Sequence, residues 1–248
     1  MRDGKKLTAD LYLPFPNASH LPCLLIRTPA GRKNPYALMY LPLLKEGYAI
    51  VVQDTRSAMD PEGRTLPFIT DGWGELQDGY DTIAWLEKNP ITNGEIATVG
   101  ASAMGITQLL LAPTAPKALK TQYISFACSD FYHQGLYHGG ELMKHQIEGW
   151  LGLYAKHPDV YKTIYTQPYY NPFWTQFNML PLASNCEKPV IHVGGWYDTF
   201  LTGTLHAFQA MQEKGGPGCQ GNQKLVVGPW CHLWPFVTAF GDFEYPKE

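Results

Sequence analysis

Ser102 stands where a β-branched run gives way to a helical pattern, in the segment Val99-Gly100-Ala101-Ser102-Ala103-Met104-Gly105. A serine among small residues at such a junction is typical of a nucleophile elbow, a tight strand-to-helix turn that exposes the hydroxyl at the edge of a sheet. The backbone N–H of Ala103 would then face a developing oxyanion at a helix N-terminus. The spacing is G-x-S-x-x-G, with Met104 where the commonest motif has its second glycine. Ser102 is therefore a candidate nucleophile, and a turn or helix-cap serine is the alternative interpretation.

A nucleophilic serine needs a base, and the base needs an acid that orients it, with the acid preceding the histidine in a hydrolase sheet of this kind. Pro189–Val193 has the pattern of a buried strand and is followed by Asp198. Lys224–Val227 has the same pattern and is followed by His232. Open α/β sheets place their sites at the C-terminal ends of the strands. The order Ser102, Asp198, His232 therefore predicts a catalytic triad.

Other acids and histidines compete for these roles. Asp130 follows the strand pattern Gln122–Ala127 and is an alternative acid. His192 lies within a strand pattern and His206 within a helical one, so we expect both to be structural. The late position of His232 on a strand-end loop favours it as the base.

Four residues close together in the chain suggest a metal site: His133, His138, Glu141 and His145. Their spacing matches no common ligand pattern, notably not H-E-x-x-H. We therefore predict that the chain holds no metal.

Short apolar runs alternate with helical patterns along the chain, as in a sheet with crossover helices. The later runs are apolar throughout, as buried parallel strands are. This pattern predicts a doubly wound α/β architecture. The predicted strands are Leu7–Leu13, Pro22–Arg27, Tyr48–Gln53, Ile96–Val99, Gln122–Ala127, Pro189–Val193 and Lys224–Val227. The predicted helices are Tyr36–Glu46, Glu75–Lys88, Ser102–Leu111 and Thr202–Glu213.

Residues 129–186 interrupt the alternation and are rich in aromatic side chains. Positions 131–180 hold 12 of the 33 aromatic residues, well above their share by length. We predict an inserted helical cap at 129–186, between two parts of an α/β core at 1–128 and 187–248. The rings either pack the cap onto the sheet or line a pocket, since concave sites are usually apolar and aromatic. The candidate pocket residues in the whole chain are Trp150, Trp196, Tyr197 and Trp230.

Composition excludes several classes of function. With a net charge of −3 and scattered Lys and Arg, the chain lacks the basic stripe that nucleic acid requires. No apolar run approaches the roughly 18 residues of a membrane span, and the N-terminal residues show no apolar signal segment. Five widely spaced cysteines without a C-x-x-C pair argue against a disulfide framework or a zinc ribbon. We therefore expect a cytoplasmic protein that binds neither nucleic acid nor membrane.

Several blocks occur in the order found in one hydrolase family. They are Met1-Arg2-Asp3-Gly4 with Asp10-Leu11-Tyr12-x-Pro14, Gln53-Asp54-Thr55-Arg56 with Glu62-Gly63, Asp78-Gly79-Tyr80-Asp81-Thr82-Ile83-x-Trp85-Leu86, the Ser102 elbow running into Thr107-Gln108, Gly195-Trp196-Tyr197-Asp198 and Gly228-Pro229-Trp230-x-His232. Together they resemble the CocE/NonD acyl esterases, relatives of the X-prolyl dipeptidyl aminopeptidases. The resemblance covers residues 1 to about 235, and the cap matches only loosely.

The resemblance implies an α/β-hydrolase fold, with a mostly parallel sheet, flanking helices and an inserted helical cap. It also implies a triad at Ser102, His232 and Asp198. Members of the family usually continue into a C-terminal β-sandwich, whereas this chain stops 16 residues after His232. We therefore expect a C-terminally truncated core, whose exposed apolar surface would favour homo-oligomers.

The same resemblance implies an oxyanion hole made by two donors. One is the N–H of Ala103, and the other is a tyrosine hydroxyl in an R-x-P-Y segment, which here reads Arg27-Thr28-Pro29-Ala30. The tyrosine position is thus vacated by Ala30, whose backbone is one candidate donor. Tyr36, in Asn34-Pro35-Tyr36, is a candidate substitute.

These residues predict a serine esterase that acts on small acyl substrates through an acyl-enzyme and needs no cofactor. Its partner would be a small-molecule ester. Two alternatives stay open: an amidase or X-prolyl-type peptidase with the same triad, and a catalytically impaired hydrolase-like binding domain.

Overall fold

A seven-stranded sheet forms the centre of the molecule. The computed structural model describes residues 1–154, 157–233, 235–237, 239–240 and 242–244, without the side chains of residues 154, 240 and 243. The strands of the sheet are β1 (Ala9–Tyr12), β2 (Leu21–Thr28), β3 (Ala49–Asp54), β4 (Thr92–Ala101), β5 (Leu119–Ser125), β8 (Val190–Tyr197) and β9 (Lys224–Cys231). Two short hairpins supply β6 (Tyr137–His138) with β7 (Glu141–Leu142), and β10 (Ala239–Phe240) with β11 (Phe243–Glu244).

The strand order is β1-β3-β2-β4-β5-β8-β9, in which β1 pairs with β3 antiparallel and every other pair is parallel. All seven strands predicted from the sequence are confirmed, and so is the mostly parallel α/β sheet. All six residues of β3, which lies between the edge strand β1 and β2, are buried. Strand β9, at the edge, alternates between exposed and partly buried residues over its first half.

Helices cover both faces of the sheet. On one face Ile83 and Leu111, from α2 (Asp78–Glu87) and α3 (Ala103–Leu111), pack on Leu25 of β2. On the other face the short α1 (Pro35–Leu38) packs on β2 and β3 through Ala37. A third long helix, α7 (Leu201–Lys214), follows β8. No helix in the described ranges has the length and apolar character needed to cross a bilayer.

The predicted helix Tyr36–Glu46 is wrong in its continuity. The structure has α1 ending at Leu38 and a separate 3₁₀ helix at Leu41–Glu46. Pro42 accounts for the break, because proline lacks a backbone N–H and disfavours helical geometry in the residue before it.

The insert, residues 129–186, leaves the sheet after β5 and returns before β8. It contains a π-helical turn at Phe131–Leu136, α4 (Lys144–Tyr154), α5 (Pro158–Tyr165), α6 (Pro172–Thr175) and a 3₁₀ helix at Leu180–Asn185. Trp174 and Phe177 are fully buried in a cluster that also holds Leu110 of α3 and Ile124 of β5. These rings therefore pack the insert onto the sheet.

A network of ion pairs fixes α2 against the ends of β2 and β3. Arg56 donates to both carboxylate oxygens of the buried Asp78, at 2.6 and 2.7 Å, and also to Asp3. One turn further along α2, Thr82 Oγ1 donates to Oε1 of the buried Gln53 in β3. The same oxygen also accepts from Arg27 Nε. Two of the sequence blocks behind the family resemblance thus have a structural role.

His192 in β8 is a buried histidine held in its neutral form. Its Nε2–H donates to Gln223 Oε1 at 3.1 Å, and its Nδ1 has no hydrogen-bond partner among the described residues. Burial lowers the pKa of His192 from 6.5 to about 4. The expectation that this histidine is structural agrees with its burial in β8.

This histidine makes stability depend on pH. In the unfolded chain His192 takes up a proton near pH 6.5, whereas in the folded chain it does so only near pH 4. The free energy of unfolding should therefore fall as the pH drops from 6.5 to 4, by roughly 3 kcal/mol from this group, and then stop falling on its account. Urea unfolding of His192→Gln should show a smaller loss of stability over that range than wild type.

His145→Gln is the matched control, because His145 is exposed on α4. The free energy of unfolding of His145→Gln should change with pH by the same amount as that of wild type. If His192→Gln lost as much free energy of unfolding as wild type between pH 6.5 and 4, the role assigned to His192 would be contradicted.

Candidate active site

The turn between β4 and α3 presents Ser102 outside the sheet. Ser102 has φ 56° and ψ −124°, a backbone conformation that non-glycine residues rarely adopt. Its N–H donates to Ser125 O at 2.9 Å, and its carbonyl accepts from the N–H groups of Gly105 and Ile106. These bonds hold the strained residue between β5 and the first turn of α3, and such strain is concentrated at functional sites.

Two close approaches explain the glycine spacing of the elbow. A Cβ on Gly105 would lie 2.7 Å from Ala127 Cβ and 3.1 Å from Ser125 O. A Cβ on Gly100 would lie 2.5 Å from Met104 Cβ. The second glycine is therefore needed three residues after the serine, where α3 touches β5, while Met104 packs on the opposite side with Val99.

Asp198, His232 and Ser102 form one continuous hydrogen-bonded chain. His232 Nε2 lies 2.8 Å from Ser102 Oγ, and His232 Nδ1 lies 2.6 Å from Asp198 Oδ1. With a neutral imidazole, Nδ1–H donates to the carboxylate and Nε2 accepts the serine proton. The sequence prediction put these three residues together, and the structure brings them within hydrogen-bond distance.

The carboxylate of Asp198 is buried and underpartnered. Its side chain has no exposed surface, and its Oδ2 has no hydrogen-bond donor among the described residues. A buried charge with few partners gains most from a neighbouring cation. Within the described part of the chain, the one side-chain partner of this carboxylate is the ring of His232, at Nδ1.

Two phenylalanines that the sequence analysis did not single out hold the ring of His232. Phe200 packs edge-on to it with ring centroids 5.2 Å apart, and Phe126 does so at 6.3 Å. Phe126 follows β5 with φ 51°, a second strained residue at this edge of the sheet. The only sequence signal for Phe200 was its position two residues after Asp198.

The competing residues have other partners. Asp130 Oδ2 lies 2.6 Å from His133 Nδ1 and accepts from Asn178 Nδ2 at 2.8 Å, so it pairs with His133 rather than with His232. His206 Nδ1 lies 3.1 Å from Gln134 Nε2.

The histidines of the insert do not converge on a common point. His138 Nε2 lies 2.7 Å from the Gln134 carbonyl. Within the residues that the structure describes, no three His, Cys, Asp or Glu side chains are grouped as metal ligands.

On the oxyanion side, helix α3 supplies the first donor. The N–H groups of Ala103 and Met104 precede the first backbone bonds of the helix, an i→i−3 bond from Gly105 and an i→i−4 bond from Ile106, both to Ser102 O. Ala30, at the vacated tyrosine position, uses its own N–H to donate to Thr28 Oγ1 at 3.0 Å. The Ala30 backbone is thus already engaged, which leaves Tyr36 as the remaining candidate.

Two cavities meet at Ser102, Ala103, Trp150 and His232. The insert cavity, of about 280 Å³, lies between the sheet and the insert. Its further lining is Ile106, Phe131, Gly135, Gln146, Ile147, Thr199 and Phe200. The loop cavity, of about 340 Å³, lies toward the β2–α1 loop. Its further lining is Thr28, Ala30, Asn34, Tyr36, Met39, Tyr40, Ala101, Met104, Tyr123, Ser125, Phe126, Leu153, Leu233, Pro235 and Phe236.

Of the four candidate pocket residues, Trp150 lines both cavities and the other three line neither. Trp196 and Tyr197 are 62% and 53% exposed, at the outward-facing end of β8. Trp230 is placed by packing against two strands, because a Cβ on Gly228 would lie 2.4 Å from its ring and one on Gly195 would lie 2.2 Å from its carbonyl oxygen. Trp196, Tyr197 and Trp230 do not line the cavities because side chains at the end of a strand can point away from a site at that edge of the sheet.

Comparisons with known proteins agree with this architecture. A family model of X-Pro dipeptidyl-peptidases (S15 family) matches residues 3–163 and 151–234. The chain is 26% identical to the cocaine esterase of Rhodococcus sp. (strain MB1 Bresler), over 94% of this chain and 47% of the esterase.

Solved structures resemble the chain over nearly its whole length. An aminopeptidase from the marine sediment archaeon Thaumarchaeota archaeon superposes with a TM-score of 0.78 at 23% identity, over 99% of this chain and 50% of that one. A CocE/NonD family hydrolase from Staphylococcus aureus does so with a TM-score of 0.74 at 21% identity, over 92% and 44%. The predicted α/β-hydrolase fold is confirmed, and the chain spans about half the length of the relatives it matches.

The close approach at Gly105 gives a testable prediction. Gly105→Ala should lower the free energy of unfolding by about 1–3 kcal/mol, because the added methyl group has no room against Ala127 and Ser125. It should also slow the labelling of Ser102 by a fluorophosphonate, since relief of the clash displaces the elbow. Urea unfolding and timed labelling measure the two effects.

Gly149→Ala is the matched control, because Gly149 is also helical but has no atom within 4 Å of an added Cβ. Alanine should raise stability there by about 0.5–1 kcal/mol. Equal effects of the two substitutions would overturn the packing explanation of the G-x-S-x-x-G spacing.

Proposed function

The chain belongs to the X-Pro dipeptidyl-peptidase (S15) family, and we propose that it is a serine hydrolase that cleaves carboxylic esters of small acyl groups. Ser102 is the nucleophile and His232 is the general base. Asp198 orients the imidazole of His232 and stabilises its protonated form. The observation that carries the proposal is the unbroken hydrogen-bonded chain from Asp198 through His232 to Ser102, at the N-terminal end of α3 where the N–H of Ala103 lies.

Acylation uses each of these groups in turn. Ser102 Oγ attacks the ester carbonyl while His232 Nε2 takes the hydroxyl proton, and Asp198 stabilises the imidazolium that forms. The carbonyl oxygen becomes an oxyanion that accepts from the N–H of Ala103. His232 then gives its proton to the leaving alkoxide oxygen, and the alcohol departs from an acyl-Ser102 ester.

Deacylation repeats the sequence with water. His232 removes a proton from a water molecule that attacks the acyl carbonyl, and the same donors bind the second oxyanion. His232 finally returns the proton to Ser102 Oγ as the carboxylic acid leaves. All steps use the chain's own residues.

The two cavities support opposite placements for the two halves of the ester. His232 must reach the leaving oxygen, and the residues that follow it, Leu233, Pro235 and Phe236, line the loop cavity. We therefore place the alcohol in the loop cavity. The acyl group then occupies the insert cavity, where Phe131, Trp150 and Phe200 supply apolar contact.

Charge favours esters over the dipeptidyl substrates that the family name suggests. A peptidase that reads a free N-terminus needs a partner for an ammonium group. No described residue that lines either cavity is Asp, Glu, Lys or Arg. Desolvating an unpaired ammonium costs several kcal/mol, so an X-Pro-type peptidase is the second candidate function.

Tyr36 is the second oxyanion donor in this proposal. It lines the loop cavity together with Ser102 and Ala103, and its ring is held edge-on by Phe236 at a centroid distance of 5.4 Å. Since the Ala30 N–H already donates to Thr28, the phenol of Tyr36 takes the role that the vacated position would have filled.

The nucleophile is tested with two substrates and one reagent. Wild type should hydrolyse p-nitrophenyl butyrate and be labelled by a fluorophosphonate at Ser102. Turnover of alanyl-proline p-nitroanilide should be at least roughly 100-fold lower in kcat/KM, because its ammonium group has no partner in either cavity. Ser102→Ala should lower ester hydrolysis by at least about 10,000-fold and abolish labelling.

Peptide mapping identifies the labelled residue, and unfolding curves check that Ser102→Ala remains folded. Label on another residue, or ester turnover retained in Ser102→Ala, would overturn the assignment. Faster turnover of the p-nitroanilide than of the ester would favour the peptidase, and an unlabelled wild type would favour the impaired binding domain.

The role of Tyr36 gives a further prediction. Tyr36→Phe should lower kcat for p-nitrophenyl butyrate by roughly 100-fold with little change in KM, because an oxyanion donor acts mainly in the transition state. Tyr40→Phe is the matched control, since Tyr40 lines the same cavity and should tolerate the change. Equal kinetics of Tyr36→Phe and wild type would rule Tyr36 out as a donor.

A further inference from the structure

The insert cavity has a single polar feature away from the triad. Apart from Ser102 and His232, its polar side chains are those of Gln146 on α4 and Thr199 in the residue after Asp198. The remaining side chains in the described lining are hydrocarbon, apart from the indole N–H of Trp150. A polar group in such surroundings is costly unless a partner satisfies it.

The amide of Gln146 is half satisfied. Its Oε1 accepts from Thr199 Oγ1 at 3.1 Å, which fixes the orientation of the side chain across the gap between the insert and the triad loop. Its Nε2 has no acceptor among the described residues. Because Oε1 already accepts one hydrogen bond while both N–H groups of Nε2 are unused, the larger free hydrogen-bonding capacity of this amide is that of a donor.

We infer that Gln146 is a specificity-determining residue, which donates from Nε2 to a hydrogen-bond acceptor carried by the acyl group. The inference rests on the proposed function, since it needs an acyl group in the insert cavity. The favoured substrates are then esters whose acyl chain is apolar and uncharged but bears a keto, ether or similar acceptor oxygen beyond the scissile carbonyl. A purely hydrocarbon chain of the same shape leaves the amide donor unpaired.

Charge in the acyl group does not serve this purpose equally well. A carboxylate would accept from Nε2, but no Lys or Arg in the described lining of the cavity offsets its desolvation. An ammonium group offers no acceptor at all. The geometry therefore selects neutral acceptors.

The test uses pairs of p-nitrophenyl esters of nearly equal shape that differ in one oxygen. The first pair is the 5-oxohexanoate and the 5-methylhexanoate, and the second is the 6-oxoheptanoate and the 6-methylheptanoate. Two chain lengths are used because the flexible chain must bring the oxygen to Gln146. Wild type should prefer the keto ester of at least one pair by about three- to tenfold in kcat/KM, the gain expected of one neutral hydrogen bond.

Gln146→Met keeps the length of the side chain and removes the donor. In this variant the preference, which is a ratio of two kcat/KM values measured on the same protein, should fall to one or below. Gln209→Met, on the exposed face of α7, is the matched control and should leave the preference unchanged. Rates without enzyme are subtracted for each ester, since the keto and methyl esters differ slightly in reactivity.

Thr199→Val separates specificity from positioning. If Gln146 served only to hold the loop of Asp198 through Thr199, then Gln146→Met and Thr199→Val would both lower kcat equally for keto and methyl esters, with the preference intact. That result would overturn the inference. Hydrolysis that depends on Ser102 but shows the same preference in wild type and Gln146→Met would overturn it while leaving the esterase proposal standing. Absence of any Ser102-dependent hydrolysis would overturn both.

Discussion

Helix α3 begins immediately after Ser102 because Gly100 and Gly105 leave room at the two tightest points of the turn. With side chains there, the helix would stand away from β5 and Ser102 would relax from its φ of 56°. Such a conformation costs on the order of 1–3 kcal/mol, and it persists only where the surroundings determine it. All nine residues of α3 are buried, so the helix cannot move to relieve the strain. The position of Ser102 is thus fixed by the packing beneath it rather than by its hydrogen bond to His232.

The order of the strands separates Asp198 and His232 from Ser102 along the edge of the sheet. Ser102 follows β4, whereas Asp198 follows β8 and His232 follows β9, two and three strands away. At about 4.8 Å between neighbouring strands, β9 lies roughly 14 Å from β4. The chain after β9 must therefore carry the imidazole back across the strand ends. Phe126, at the end of the intervening β5, and Phe200 contact the ring on the way, which explains why aromatic side chains stand at those positions.

The sequence predicted the sheet and the order of the chemical groups well, because both depend on local patterns. Buried strands are visible as apolar runs, and a residue just past a strand end reaches the site edge whatever the details of the loop. The direction of a side chain near a strand end depends on a register shift between Gly195 and Tyr197 that no pattern reveals, so Trp196 and Trp230 were misplaced. The break at Pro42 was visible in the sequence, but the apolar periodicity around it suggested one continuous helix. The partners of Gln146 and Ala30 depend on contacts between distant segments and could not be predicted.

In the proposed esterase, the uncharged lining of the two cavities would act on selectivity mainly by leaving charged groups unstabilised. An uncharged lining offers an apolar acyl group the gain from burial, about 25 cal/mol per Å² of apolar surface, which changes gradually with the size of the group. A charged acyl group instead pays a desolvation cost of several kcal/mol, and each 1.4 kcal/mol is a factor of ten in rate. Discrimination against charge is therefore steep, and discrimination among neutral groups is shallow. In the proposed esterase, a single oriented amide such as Gln146 would therefore change relative rates more than any one of the aromatic side chains around it. A substrate without an acceptor leaves the amide donor unpaired, whereas the loss of an apolar contact removes only buried area.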